Sequence, residues 1–145
     1  FQWNPYMGKL VRTLRGHMVD MFLDIRKNSP TFGKIALYDM PNHDGENYSE
    51  WIWVPAGFAH GNFFLDDINK IEYLCTGEYS QGCEAGISPL SDDLDWSLCG
   101  IKEKEMFDKL ISSGELILSD KDKNGLDLKS WLNDSRSDKF LYSKC

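Results

Sequence analysis

Between Val19 and Ile25 the chain repeats with a period of two, placing Val19, Met21, Leu23 and Ile25 on one side and Asp20, Phe22 and Asp24 on the other. Side chains alternate across a strand but not around a helix, so this segment predicts a β-strand with one buried face. Lys9–Leu14 reads the same way, and Arg15-Gly16-His17 between the two predicts a hairpin turn. Further strands are predicted at Lys34–Tyr38, Trp51–Val54, Asn62–Leu65 and Lys70–Cys75, with Ser29-Pro30-Thr31-Phe32-Gly33 and a polar loop from Asn42 to Asn47 as punctuation. Short strands this close together imply a sandwich or barrel rather than an α/β sheet. After Trp96 the period changes. Met106, Phe107, Leu110 and Ile111 mark one face of a helix over Ile101–Ser113, and Leu128, Trp131 and Leu132 mark a shorter one within Asp127–Ser135. No repeat or linker interrupts the 145 residues, which predicts one domain, 1–145.

Composition narrows the function classes. A net charge of -7 argues against a nucleic-acid surface, which needs clustered Lys and Arg, yet leaves room for a few basic residues around one anionic ligand. No apolar run approaches the roughly 20 residues that cross a bilayer, and no basic-then-apolar leader is visible, so the expected location is cytoplasmic and away from membranes. Cys75, Cys83, Cys99 and Cys145 show no paired spacing, which predicts reduced thiols and no zinc site. His17, His43 and His60 lie far apart, and no phosphate-binding, dinucleotide-binding or serine-nucleophile motif is present.

Six side chains are weighed for chemistry. His60 falls in the run Pro55-Ala56-Gly57-Phe58-Ala59-His60-Gly61, read as a turn; its imidazole either hydrogen-bonds a substrate oxygen or packs structurally beside Phe58. Lys9 and Arg12 share a strand but not a face, and the pattern leaves open which one points inward. An inward Lys9 would stabilise an enolate or phosphate. Tyr73 and Tyr79 flank Thr76-Gly77, as packing residues or as a proton donor and a stacking platform. Asp122, within Leu118-Ser119-Asp120-Lys121-Asp122-Lys123, reads locally as a solvated loop.

Several separated blocks resemble, in order, the dTDP-4-dehydrorhamnose 3,5-epimerases and their relatives. The blocks are Phe1-Gln2; Gly8-Lys9-Leu10-Val11-Arg12; Asp20 through Gly33; Trp53-Val54-Pro55 to Gly61; Tyr73 through Tyr79-Ser80 to Glu84; and Leu118-Ser119-Asp120-Lys121-Asp122. The resemblance implies a mainly β, cupin-like jelly-roll barrel with short C-terminal helices, acting without metal or other cofactor on a nucleotide-linked 4-keto-6-deoxy sugar. It implies Tyr73 as the catalytic acid, Lys9 and His60 lining the sugar pocket, and Asp122 orienting the base. Tyr79 is implied to stack on the nucleotide base, with Gln2, Glu84 and Lys121 as further ligand contacts. The family's base is a histidine directly before the Phe-Gln pair. The chain is therefore expected to be part of a longer protein or, alternatively, an inactive nucleotide-sugar binder, and by itself no competent catalyst.

The implied reaction inverts C3, C5 or both for surface-polysaccharide synthesis: one face of the sugar loses a proton to give an enolate, and the other regains it. A 3,4-ketoisomerase on a related barrel is the second enzyme reading. The resemblance also implies a homodimer. An extended Asp39–Tyr48 loop, an apparent insertion at Gly100–Glu115, and Leu74 and Cys75 after Tyr73 depart from the usual pattern. They leave dTDP or GDP, and hexose or heptose, open.

Overall fold

The computed structural model describes residues 1–43 and 49–143. One long strand organises it. β1 runs unbroken from Lys9 to Asp24, where the sequence predicts two strands and a hairpin. Gly16 does not reverse the chain. It sits at φ 95°, open mainly to glycine, beside a register shift between Thr13 and Arg15. Around it pair four antiparallel strands: β2 (Ile35–Asn42), β3 (Ile52–Val54), β4 (Phe58–Phe64) and β5 (Lys70–Cys75). The first half of β1 lies between β3 and β5, and the second half between β2 and β4.

The irregularity decides which residues face inward. Before it the odd positions Val11 and Thr13 are buried; after it the even positions Met18 and Asp20 join them, and Val11, Met18 and Met40 form one apolar cluster with Ile52 and Ile71. The alternating Val19, Met21, Leu23 and Ile25 belong to the opposite face, which is also buried, beneath the C-terminal helices.

α1 (Ile101–Ser113) has the bounds its apolar spacing predicts and ends on Gly114 in the left-handed conformation, φ 74°. Phe107 is buried, stacked on Trp96 with ring centroids 5.2 Å apart and tilted against Phe63. Ile111, predicted on the same face, is exposed, so the buried stripe is narrower than expected. α2 (Asp120–Lys123) replaces a predicted loop. α3 (Leu128–Asn133) buries Leu128 and Trp131, whereas Leu132 faces out. Trp131 donates its indole N–H to Ile25 O and packs edge-on to Phe1, which ties α3 to the end of β1 and to the N-terminal segment. The fold is thus mainly β with short C-terminal helices.

Asn42 ends β2 rather than opening a loop, and residues 44–47 of that predicted loop lie outside the described residues, as does Cys145. Cys75, Cys83 and Cys99 are free thiols. Among the described residues no helix is long and apolar enough to cross a membrane.

Candidate active site

A cavity of about 680 Å³ opens between the strands and the segment from Leu116 to Asp122. Lys9, His60, Tyr73, Glu84, Lys121 and Asp122 all line it. Residues far apart in sequence meet here because β1 pairs with both β4 and β5.

His60 is on β4, in register with Phe22, and not in the turn the sequence suggests. Its Nε2 lies 2.7 Å from Asp20 Oδ1, with the two side chains 5% and 0% exposed. Phe22 stacks on the imidazole at 6.0 Å. The other carboxylate oxygen, Asp20 Oδ2, is buried and has no hydrogen-bond partner among the described residues. A buried carboxylate with one oxygen unpaired is costly and holds the ring facing it in one orientation.

Tyr73, on β5, meets His60 edge-on with ring centroids 6.0 Å apart. Lys9 Nζ lies 5.8 Å from the Tyr73 ring centroid, within cation–π reach, which resolves the open question of its direction: Lys9 points inward. Arg12, on the opposite face, pairs with Glu72 at 2.7 Å and covers Trp51. The Tyr73 hydroxyl accepts from Asn62 Nδ2 at 2.6 Å. Burial raises the Tyr73 pKa above the ordinary phenol value; the Asn62 hydrogen bond opposes the rise and the Asp20 charge adds to it. The phenol therefore keeps its proton at neutral pH.

A second cluster stands at the rim. Lys121 Nζ pairs with Glu84 Oε2 at 2.8 Å, and Tyr79 donates its hydroxyl to Glu84 Oε1 at 2.8 Å. Lys121 foremost holds the Glu84 carboxyl below its usual pKa, and Glu84 in turn raises the Tyr79 phenol. Tyr79 is 67% exposed, so its ring face is free. Asp122 lies in the first turn of α2, where Ser119 caps the helix and donates its hydroxyl to Asp122 Oδ2 at 2.6 Å.

Gln2 corrects an expectation. Its side chain is buried, donating to Pro5 O and Glu78 O and accepting from Ser80 N, and it does not line the cavity. With both donors and the acceptor engaged by backbone, it holds the Glu78–Ser80 turn rather than a ligand. Two groups escape the sequence reading: Asn62, which lines the cavity, and Asp20, which is buried behind His60. Asp20 had a signal: a carboxylate in the middle of an apolar strand requires a buried partner. Among the described residues no cluster of three His, Cys, Asp or Glu is placed to hold a metal.

The sequence model for dTDP-4-dehydrorhamnose 3,5-epimerase matches residues 1–130. The chain is 38% identical over 130 residues to the enzyme of that name from Methanothermobacter thermautotrophicus, covering 86% of this chain and 60% of the relative. It is also 38% identical to its Shigella flexneri counterpart over 128 residues, with the same coverage of 86% and 60%. The chain thus spans about 60% of the length of these relatives. Among solved structures, the dTDP-6-deoxy-D-glucose-3,5-epimerase of Legionella pneumophila, crystallised with dTDP-4-keto-L-rhamnose, is 33% identical with a TM-score of 0.70, over 94% of this chain and 63% of that one. The 4-keto-6-deoxy sugar epimerase NovW of Streptomyces spheroides gives a TM-score of 0.73 at 24% identity, over 99% and 63%, a likeness of fold alone. The architecture is accordingly cupin-like.

Proposed function

The chain belongs to the dTDP-4-dehydrorhamnose 3,5-epimerase family, and we propose that the protein inverts C3, C5 or both of a nucleotide-linked 4-keto-6-deoxy sugar through an enolate. One observation carries this reading: Lys9, His60 and Tyr73 converge on one cavity although they come from three strands. A ketone acidifies its neighbouring C–H bonds because the resulting anion delocalises onto oxygen. The Lys9 ammonium and the His60 imidazole stabilise that oxygen in a partly dry space, and Tyr73 supplies the proton to the sugar face it meets. Asp122 at the cavity wall orients the base, which the resemblance puts immediately before Phe1; Phe1 itself lines the same cavity. Tyr79, Glu84 and Lys121 at the rim receive the nucleotide diphosphate.

The substrate class is supported by the neighbours' ligands, which include dTDP-4-keto-L-rhamnose. A homodimer fits the outer face of β3, β1 and β5, where exposed Trp53 and Leu74 flank Leu10 in one cross-strand row. The decisive experiment incubates the full-length protein with a dTDP-linked 4-keto-6-deoxy sugar in deuterated water. Deuterium at C3 or C5 with inversion is expected. No incorporation with either dTDP or GDP sugars would refute the reading, and a ketone moved to C3 would indicate a ketoisomerase.

A further inference from the structure

Asn62 stands two residues beyond His60 on β4, in register with Asp20, and lines the cavity. Its amide nitrogen donates to the Tyr73 hydroxyl oxygen at 2.6 Å. A phenol has one proton to give and lone pairs to receive with. Because Asn62 fills the receiving side, the Tyr73 O–H bond must turn elsewhere, and among the described residues no acceptor takes its proton. The neighbours on the other sides do not compete: Lys9 is a cation without a lone pair, and His60 Nε2 is engaged by Asp20.

We propose that Asn62 is a positioning residue for Tyr73, holding the phenol so that its proton faces the ligand space and donating to the phenolate once that proton has left. The assignment rests on the epimerase reading of Tyr73. In the step concerned, the Tyr73 O–H bond breaks and a C–H bond forms at the enolate carbon. The enolate's π pair makes the new bond, its oxygen lone pair restores the C4 ketone, and the O–H pair stays on the phenolate. Water at the cavity mouth returns the proton, since Tyr73 is 37% exposed. A hydrogen bond to an ionised acceptor is roughly twice as strong as one between neutral groups. The Asn62 contact therefore strengthens as charge develops on Tyr73, which is the condition for lowering a barrier rather than merely tightening the ground state. The charged and titratable groups facing the phenol are Asp20 and Lys9 from β1, His60 from β4 and Cys75 from β5.

Two variants of the full-length protein test this. Asn62→Asp keeps the shape and removes the donor; Asn62→Leu removes all polarity, and either suffices should the other fail to fold. Both are assayed with a dTDP-linked 4-keto-6-deoxy sugar in deuterated water, following inversion and deuterium entry into recovered, uninverted substrate separately. Inversion is expected to slow roughly ten- to hundredfold, while deuterium still enters the uninverted substrate at the wild-type rate. The alkaline limb of the inversion profile moves to higher pH, because the phenolate has lost a donor. Equal loss of exchange and inversion, or an unchanged partition with an unmoved alkaline limb, overturns the assignment. A wild-type protein that incorporates no deuterium overturns the epimerase reading itself, and the assignment with it.

Discussion

His60 Nε2 and Asp20 Oδ1 lie 2.7 Å apart in a place where neither side chain is more than 5% exposed. Among the described residues Asp20 has no other side-chain partner, and its second oxygen is already unpaired. Truncating His60 thus strands a buried carboxylate, a loss of about 3–5 kcal/mol by comparison with other broken buried pairs. His60→Ala should lower the urea midpoint accordingly. Asp20→Asn should cost less, and the double variant should fall short of the sum by roughly 0.5–3 kcal/mol. Additive losses would mean that the two groups do not support one another.

Much of this arrangement was legible before the structure. The α1 bounds follow from apolar residues at helical spacing between Gly100 and Gly114, and β5 from its extended pattern. Lys9, His60, Tyr73 and Asp122 do share a cavity. What the sequence hides is phase. Arg15-Gly16-His17 has the composition of a hairpin, yet a glycine at positive φ also serves a bulge, and only pairing with β2 and β4 across this stretch decides between them. The inward direction of Lys9 depended on the same long-range pairing. Gln2 was misread for a different reason: a polar residue within a matching block carries no local sign that backbone will claim its hydrogen bonds.

The pH dependence of stability centres on Asp24. Burial would raise its pKa, but donors from Arg26, Ser29 and Thr31 outweigh that and bring it down to about 2. A folded pKa below the unfolded one stabilises the fold above the unfolded value, and this stabilisation disappears as pH falls from about 4 through about 2. Asp24→Asn should destabilise the protein at pH 7 by roughly 2–3 kcal/mol, and should flatten the acid limb of a melting-temperature profile. A wild-type acid limb retained in the variant would exclude Asp24 as its source.

Lys121 separates binding from stability. Its ion pair with Glu84 is 59% exposed on the lysine side, so Lys121→Ala should change unfolding free energy by no more than about 1 kcal/mol. The same change removes the cation proposed to receive the diphosphate. Calorimetric titration with dTDP should show about tenfold weaker binding, equivalent to about 1.4 kcal/mol. Equal affinity in the variant would move the diphosphate away from the rim cluster.

Gly16 lies outside the cavity but sets its geometry. At φ 95° it admits the irregularity that exchanges odd for even positions on the inner face of β1, and a Cβ there would collide with the Asn69 side chain and the Ile68 carbonyl oxygen. Asn69 is not free to yield, since its Oδ1 accepts from His17 N. Gly16→Ala therefore combines backbone strain with a lost hydrogen bond, each of order 1–3 kcal/mol. The alternative for the chain is to relax the bulge, which would rotate Lys9 outward or Asp20 away from His60, because a one-residue slip exchanges the faces of a strand. Gly16→Ala should consequently lose at least about 2 kcal/mol in urea unfolding and weaken ligand binding although the residue touches no ligand. Gly61→Ala, where nothing lies within 4 Å of an added Cβ, serves as the control expected to leave stability nearly unchanged. If Gly16→Ala were as mild as that control, the bulge would be a tolerated irregularity, and the alignment of Lys9 with His60 would have to come from the flanking strands.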